Sequence, residues 1–180
     1  MLLAFAPFIV FAVLDRLVNA NVGLIAAAVV SIVLLVRDWL APNRTPKILE
    51  IGTAILFCVL ALYATLGGAA WSIFGVRLRV DAGLLLIVLL SMAVGRPFTL
   101  QYAREQAAAD LWNTPQFART NLIITAVWAV AFAVLVLADL AVLYVPGLPP
   151  RVSIWATILA LVGAFKFTSW YPDRVRAGAA

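Results

Sequence analysis

Six apolar runs, separated by short polar or Pro/Gly-rich breaks, organise the chain. The first covers Leu2 to Asn19, with Pro7 near its start, where proline suits a helix best, and Asp15 and Arg16 near its far end. As helix neighbours those two point about 100° apart and do not face each other. A turn at Asn19, Ala20 and Asn21 leads into the second run, Val22 to Trp39. Here Gly23, Ala27 and Ser31 recur every four residues, a small-residue face that lets another helix approach closely. The run ends in Arg37, Asp38 and Trp39. Pro42 to Lys47 reads as a connector, and the third run extends from Ile48 to Leu66, stopping at Gly67 and Gly68.

Residues 69–81 are mixed, with Trp71 and Phe74 suited to an interface and Arg77 and Arg79 to headgroups. The fourth run, about 80–95, closes at Gly95-Arg96-Pro97. From Thr99 to Asn113, Leu100, Ala103, Ala107 and Leu111 fall at helical spacing, with Gln101, Arg104, Glu105 and Asp110 elsewhere on the wheel. That pattern predicts an amphipathic helix lying on the membrane surface. The fifth run, 118–145, is long enough to tilt. Pro146 to Pro150 is a tight connector, and the sixth run, 152–170, leads into a short polar tail. With about 20 residues needed per span, the expectation is an all-α polytopic membrane protein. It has six spans (2–19, 22–39, 48–66, 80–95, 118–145 and 152–170), a surface helix at 99–113 between spans four and five, and one integral membrane domain over residues 1–180. No internal repeat of the kind found in many transporters is evident.

Composition agrees: 66% of the residues are hydrophobic and 12% charged, against about 25% charged in soluble chains. The opening Met1 to Leu14 has no basic n-region and no small-x-small cleavage site, which predicts a retained first span. Cys58 is the single cysteine and histidine is absent. Intramolecular disulfides, cysteine metal clusters, and the usual haem or zinc ligand and neutral-pH general base are therefore excluded. No metal or other cofactor is expected. An isoelectric point near 10.0 suggests topology-setting residues here, not nucleic-acid binding. With six spans, Arg37, Arg44, Lys47, Arg96, Arg104, Arg119, Lys166, Arg174 and Arg176 fall on one side and Arg16, Arg77, Arg79 and Arg151 on the other. Nine against four predicts both termini and the surface helix in the cytoplasm.

Intramembrane ionisable residues are costly and mark candidate sites. Asp139 lies in the fifth run, where Asn121, Thr125, Trp128, Phe132 and Asp139 share one helical face. The face suits a polar pathway with Asp139 as a cation or proton site; the plainer reading has a long span lifting Asp139 to the interface. Glu50 beside Lys47 reads as a helix-start cap. Lys166 reads as a snorkelling cation. Of the six tryptophans, most sit near span ends as an interfacial belt, and Trp128 falls well inside. Gly95-Arg96-Pro97-Phe98 suits a helix terminator: a permissive glycine, a cation at the helix end facing anionic lipid, and a proline stop.

Gly95-Arg96-Pro97-Phe98, the Gln101 to Trp112 stretch, and then Pro115, Phe117, Asn121, Trp128 and Phe132 together resemble the intracellular septation protein A family of bacterial inner-membrane proteins. Those proteins carry a similar Gly-Lys/Arg-Pro after a middle span, a basic amphipathic stretch, and an Asn followed by Trp-Ala and Phe. The opening Phe5 to Ala12 and Lys47-Ile48-Leu49-Glu50 also resemble that family's first span and third-span start. Ala107-Ala108-Ala109 and the Pro-rich connector before span six depart from its pattern.

The resemblance implies a multi-pass bacterial inner-membrane protein of cell division and envelope maintenance with no catalytic residues. Expected partners are the bilayer, its anionic headgroups, division or cell-wall synthesis proteins, and further copies of the chain through small-residue faces. Gly95, Arg96, Pro97, Phe98, Asn121 and Trp128 form the central motif. The alternative is a small oligomeric transporter or channel using Asp139 with Thr125 and Asn121. An intramembrane enzyme is the poorest reading, since no paired acids or nucleophile and base lie at a useful spacing.

Overall fold

The computed structural model describes residues 2–41, 45–68 and 71–178, and every regular element among them is helical. A 3-10 turn (Leu2–Phe5) precedes α1 (Ala6–Leu17), α2 (Ala20–Leu40), α3 (Ile48–Leu66), α4 (Ile73–Ala93) and α5 (Phe98–Arg104). A second 3-10 turn (Ala109–Leu111) then leads to α6 (Pro115–Tyr144) and α7 (Pro150–Ala177). Helices α2, α3, α6 and α7 are long and apolar enough to cross a membrane. The pair α4 and α5, bent by 73°, makes a fifth if taken as one broken span. Of the connector residues, Pro42, Asn43 and Arg44 lie outside the described residues, as do Ala69 and Ala70.

Three elements differ from the sequence expectation. The first run is shorter than expected: the 3-10 turn leads into an α1 of 12 residues, about 18 Å of α-helix against a hydrocarbon core of about 30 Å. It ends early because Asn19 starts the next helix, its Oδ1 accepting the Val22 N–H at 2.9 Å. Helix α4 begins at Ile73, ahead of residue 80. Ser72 Oγ accepts the Gly75 N–H at 3.1 Å, and Arg79 donates back to the Gly75 carbonyl at 2.6 Å while its guanidinium lies 4.4 Å from the Trp71 ring centre. The single helix expected over 99–113 is α5 followed by an irregular segment and a 3-10 turn. Trp112 Nε1 donates to the Ala107 carbonyl at 3.1 Å and folds the segment back on itself. In addition, α7 continues past Trp170 to Ala177, so most of the expected polar tail is helical.

Packing divides the chain into two compact units, Met1–Ile87 and Val88–Ala180, with the division inside α4 and not at a linker. In the first, Phe11, Leu24, Ala27, Phe57, Ala61, Ala64, Val76 and Val80 form the core. Lipid chains are as apolar as leucine, so close packing holds such a core more than transfer from water does. Gly23 supplies the closest approach. A Cβ there would lie 3.0 Å from the Asp15 nitrogen and 3.1 Å from the Phe11 carbonyl, so the backbones of α1 and α2 touch at this point. The Gly23, Ala27 and Ser31 face is thus buried within the chain.

The turn from α2 to α3 carries an ion cluster built around buried Asp38 and Lys47. Asp38 pairs with Arg37 at 2.6 Å and with Lys47 at 3.7 Å, and Lys47 Nζ also lies 3.5 Å from Glu50. Glu50 additionally accepts the Lys47 backbone N–H at 3.1 Å, which closes the start of α3.

In the second unit α6 and α7 form an antiparallel hairpin, and α5 packs on α6. Thr114 caps α6, its Oγ1 accepting the Phe117 N–H at 3.3 Å, and Pro115 follows where a missing N–H costs nothing.

Candidate functional site

The residues of the central motif meet in the second unit, around the break between α4 and α5. The break is a Schellman end. The Arg96 N–H bonds the Ser91 carbonyl and the Gly95 N–H bonds the Met92 carbonyl, each at 2.9 Å. Gly95 has φ +70°, a conformation glycine adopts without Cβ strain. Pro97 then sets a new direction. The first N–H of α5, from Phe98, reaches back to Ser91 Oγ at 3.2 Å, while that hydroxyl donates to the Val88 carbonyl at 2.7 Å. Ser91 is therefore the cap that Pro97 cannot provide.

Buried side chains then fasten α5 to α6. Thr99 Oγ1 donates to the Asn121 carbonyl at 2.8 Å and lies 2.7 Å from Thr125 Oγ1. A hydroxyl has one proton, so Thr125 is the donor in the second bond. Asn121 Nδ2 turns along its own helix to the Phe117 carbonyl at 2.9 Å. Phe98 meets Trp128 edge to face, centroids 6.5 Å apart at 77°, and Trp128 packs on Phe132 at 5.6 Å. The Trp128 indole donates to Thr168 Oγ1 at 2.9 Å, which ties α7 into the same assembly.

Structure and sequence agree on which residues share the inner face of α6: Asn121, Thr125, Trp128, Phe132 and Asp139 are all buried. They do not form one polar strip. Fourteen residues separate Thr125 from Asp139, about 21 Å of helix, and buried Trp128, Phe132 and Leu135 occupy the interval. Asp139 is 0% exposed and accepts from Ser153 Oγ at 2.7 Å, near the α6–α7 connector.

Of the motif, Pro97, Phe98, Asn121 and Trp128 are buried, while Gly95 and Arg96 are exposed. Sequence reasoning missed Ser91, Thr99 and Thr168, the hydroxyl partners of the motif, and Ser153, the partner of Asp139. Their signal was a lone hydroxyl one helical turn or less from a motif residue or opposite a buried one. Among the described residues no group of three or more Cys, Asp or Glu is placed to hold a metal ion. The polar groups here make structural bonds; the arrangement fixes a bent backbone and presents Arg96 at its tip.

No protein-family model, curated protein or solved structure matches the chain significantly.

Proposed function

We propose that the chain is a non-enzymatic multi-pass protein of a bacterial inner membrane that supports cell division and envelope maintenance through contacts with other membrane proteins. The reading starts from the resemblance to septation protein A, and one observation carries it further: the motif residues build a braced elbow. Its buried members fix the shape, and the exposed members are Gly95, Arg96 and the 105–114 segment, on which Trp112 lies 5.8 Å from the Arg104 guanidinium. The small-residue face of α2 is buried within the chain, so the proposed contact surface is this elbow. Arg96 and the C-terminus belong to the cytoplasmic side in this proposal, which follows the distribution of basic residues; with α1 too short to cross on its own, the N-terminus goes to the opposite side rather than the cytoplasm.

The test is in-cell crosslinking of a tagged copy, followed by purification from native membranes and identification of the proteins recovered. The expected result is division or wall-synthesis proteins with the wild type and their loss with Arg96→Ala, an exposed change that leaves the brace intact. Recovery of the chain alone refutes the partner reading and favours a homo-oligomer.

The second reading, a small transporter or channel, has its support in the full burial of Asp139 within the α6–α7 hairpin, since a buried intramembrane acid is costly without a role. Under it, Asp139→Asn abolishes flux in reconstituted liposomes. Unchanged flux removes this reading.

A further inference from the structure

Helix α7 is the least enclosed of the four candidate spans, with 11% of its most apolar window buried. Its open side carries Lys166, Trp170 and Arg174, four residues apart and all exposed, so they form one stripe along the helix. Arg174 folds back with its guanidinium 5.8 Å from the Trp170 ring centre. The third cation of this region behaves differently: Arg176 is paired with Asp173 at 3.6 Å. Among the described residues neither Lys166 nor Arg174 has a carboxylate partner.

From this stripe we infer a site for the phosphodiester headgroup of an anionic phospholipid, held between Lys166 and Arg174 across the Trp170 ring. The inference rests on α7 crossing the membrane and is independent of the protein-partner reading. Trp170 belongs at the interface, where indole rings settle. Lys166 is four residues deeper, about 6 Å of helix, a step its apolar stem covers by snorkelling. Arg174 already turns back to the level of Trp170. The two cations therefore converge on one level from opposite sides, a spacing that suits a single phosphate.

Below Lys166, a Cβ built on Gly163 meets nothing within 4 Å. With exposed Leu159 and Val162 beside it, this leaves a shallow strip for an acyl chain. An acidic peptide from the aqueous side would reach Arg174 but not the lysine beneath the tryptophan. A second copy docking through α7 would need a free acid, and the acid of this region, Asp173, is already engaged by Arg176.

The test uses the full chain in phosphatidylcholine nanodiscs doped with brominated phosphatidylglycerol or brominated phosphatidylcholine, which quench nearby indoles. Subtracting the signal of Trp170→Phe isolates Trp170. The expected result is quenching by the anionic lipid at several-fold lower mole fraction than by the zwitterionic one. Lys166→Gln and Arg174→Gln should each raise the mole fraction needed by about fivefold, with Arg176→Gln unchanged and millimolar glycerol phosphate without effect. Equal quenching by the two lipids overturns the site, as does a double variant that keeps the preference. An Arg176→Gln loss as large as that of Arg174→Gln would mean diffuse surface charge. Competition by glycerol phosphate would mean a soluble anion site. Either result also overturns the lipid assignment. Matching circular dichroism melts show that these exposed substitutions leave the fold intact.

Discussion

Thr99 and Thr125 place their side-chain oxygens 2.7 Å apart in a buried contact across 26 residues of sequence. One proton chain runs through them, from Thr125 to Thr99 to the Asn121 carbonyl, and it joins a helix too short to cross a bilayer to one that is long enough. Thr99→Val removes both bonds and should lower thermal stability in detergent by about 1 kcal/mol. Thr125→Val removes only one. The double variant should fall no further than Thr99→Val alone, a non-additive result that a double-mutant melting cycle reads directly. Full additivity would mean that the two hydroxyls do not share a bond.

At Gly23 the two nearest atoms to a new Cβ are backbone atoms of α1, which cannot rotate away. Gly23→Ala should therefore destabilise by about 1–3 kcal/mol through overpacking. Gly163→Ala, which meets nothing within 4 Å, should leave the melting temperature unchanged or raised. Equal melting temperatures for the two variants would contradict the α1–α2 contact.

Removing Lys47 should expose the cost of its partners, buried Asp38 and half-buried Glu50. Lys47→Met withdraws the lysine charge from Glu50 and from Asp38, which keeps its pair with Arg37; a loss of about 3 kcal/mol is expected. Adding Asp38→Asn should recover part of it, because less charge then remains uncompensated. Denaturation monitored by tryptophan fluorescence checks both, and a double variant worse than the single would refute the coupling.

Ser153→Ala should cost more than Asp139→Asn, although the acid is the residue that looks functional. The alanine withdraws the hydroxyl donor from a buried carboxylate, a bond worth about 1.5–3 kcal/mol. The asparagine keeps an oxygen that can accept from Ser153. Thermal melts of the two variants decide the order.

The long apolar runs were legible because their ends carry local signals. The third, Ile48–Leu66, matches its helix because Lys47 with Glu50 and then Gly67 mark the limits. The second differs by one or two residues at each end. The start of α4 was hidden by Arg77, Arg79 and Asp81, whose charge breaks an apolar pattern without breaking a helix. Over 99–113 the helical periodicity holds for about two turns in α5, and hydrogen bonds from Trp112 and Thr114 then redirect the chain. The inner face of α6 could be read from spacing alone. Its partners could not: Thr168 lies 40 residues from Trp128, and the pairing of Asp38 with Lys47 exists only once the α2–α3 turn has closed.

The braced elbow also sets a timetable for biosynthesis. Phe98 leaves the ribosome 30 residues ahead of Trp128, an interval of roughly two to six seconds at ordinary elongation rates. During that interval α5 has no α6 to receive it, and its seven residues cannot settle across lipid on their own. The elbow is thus completed backwards, by a helix made later, and nascent chains halted before residue 128 hold it open to whatever insertion factor or protease arrives first.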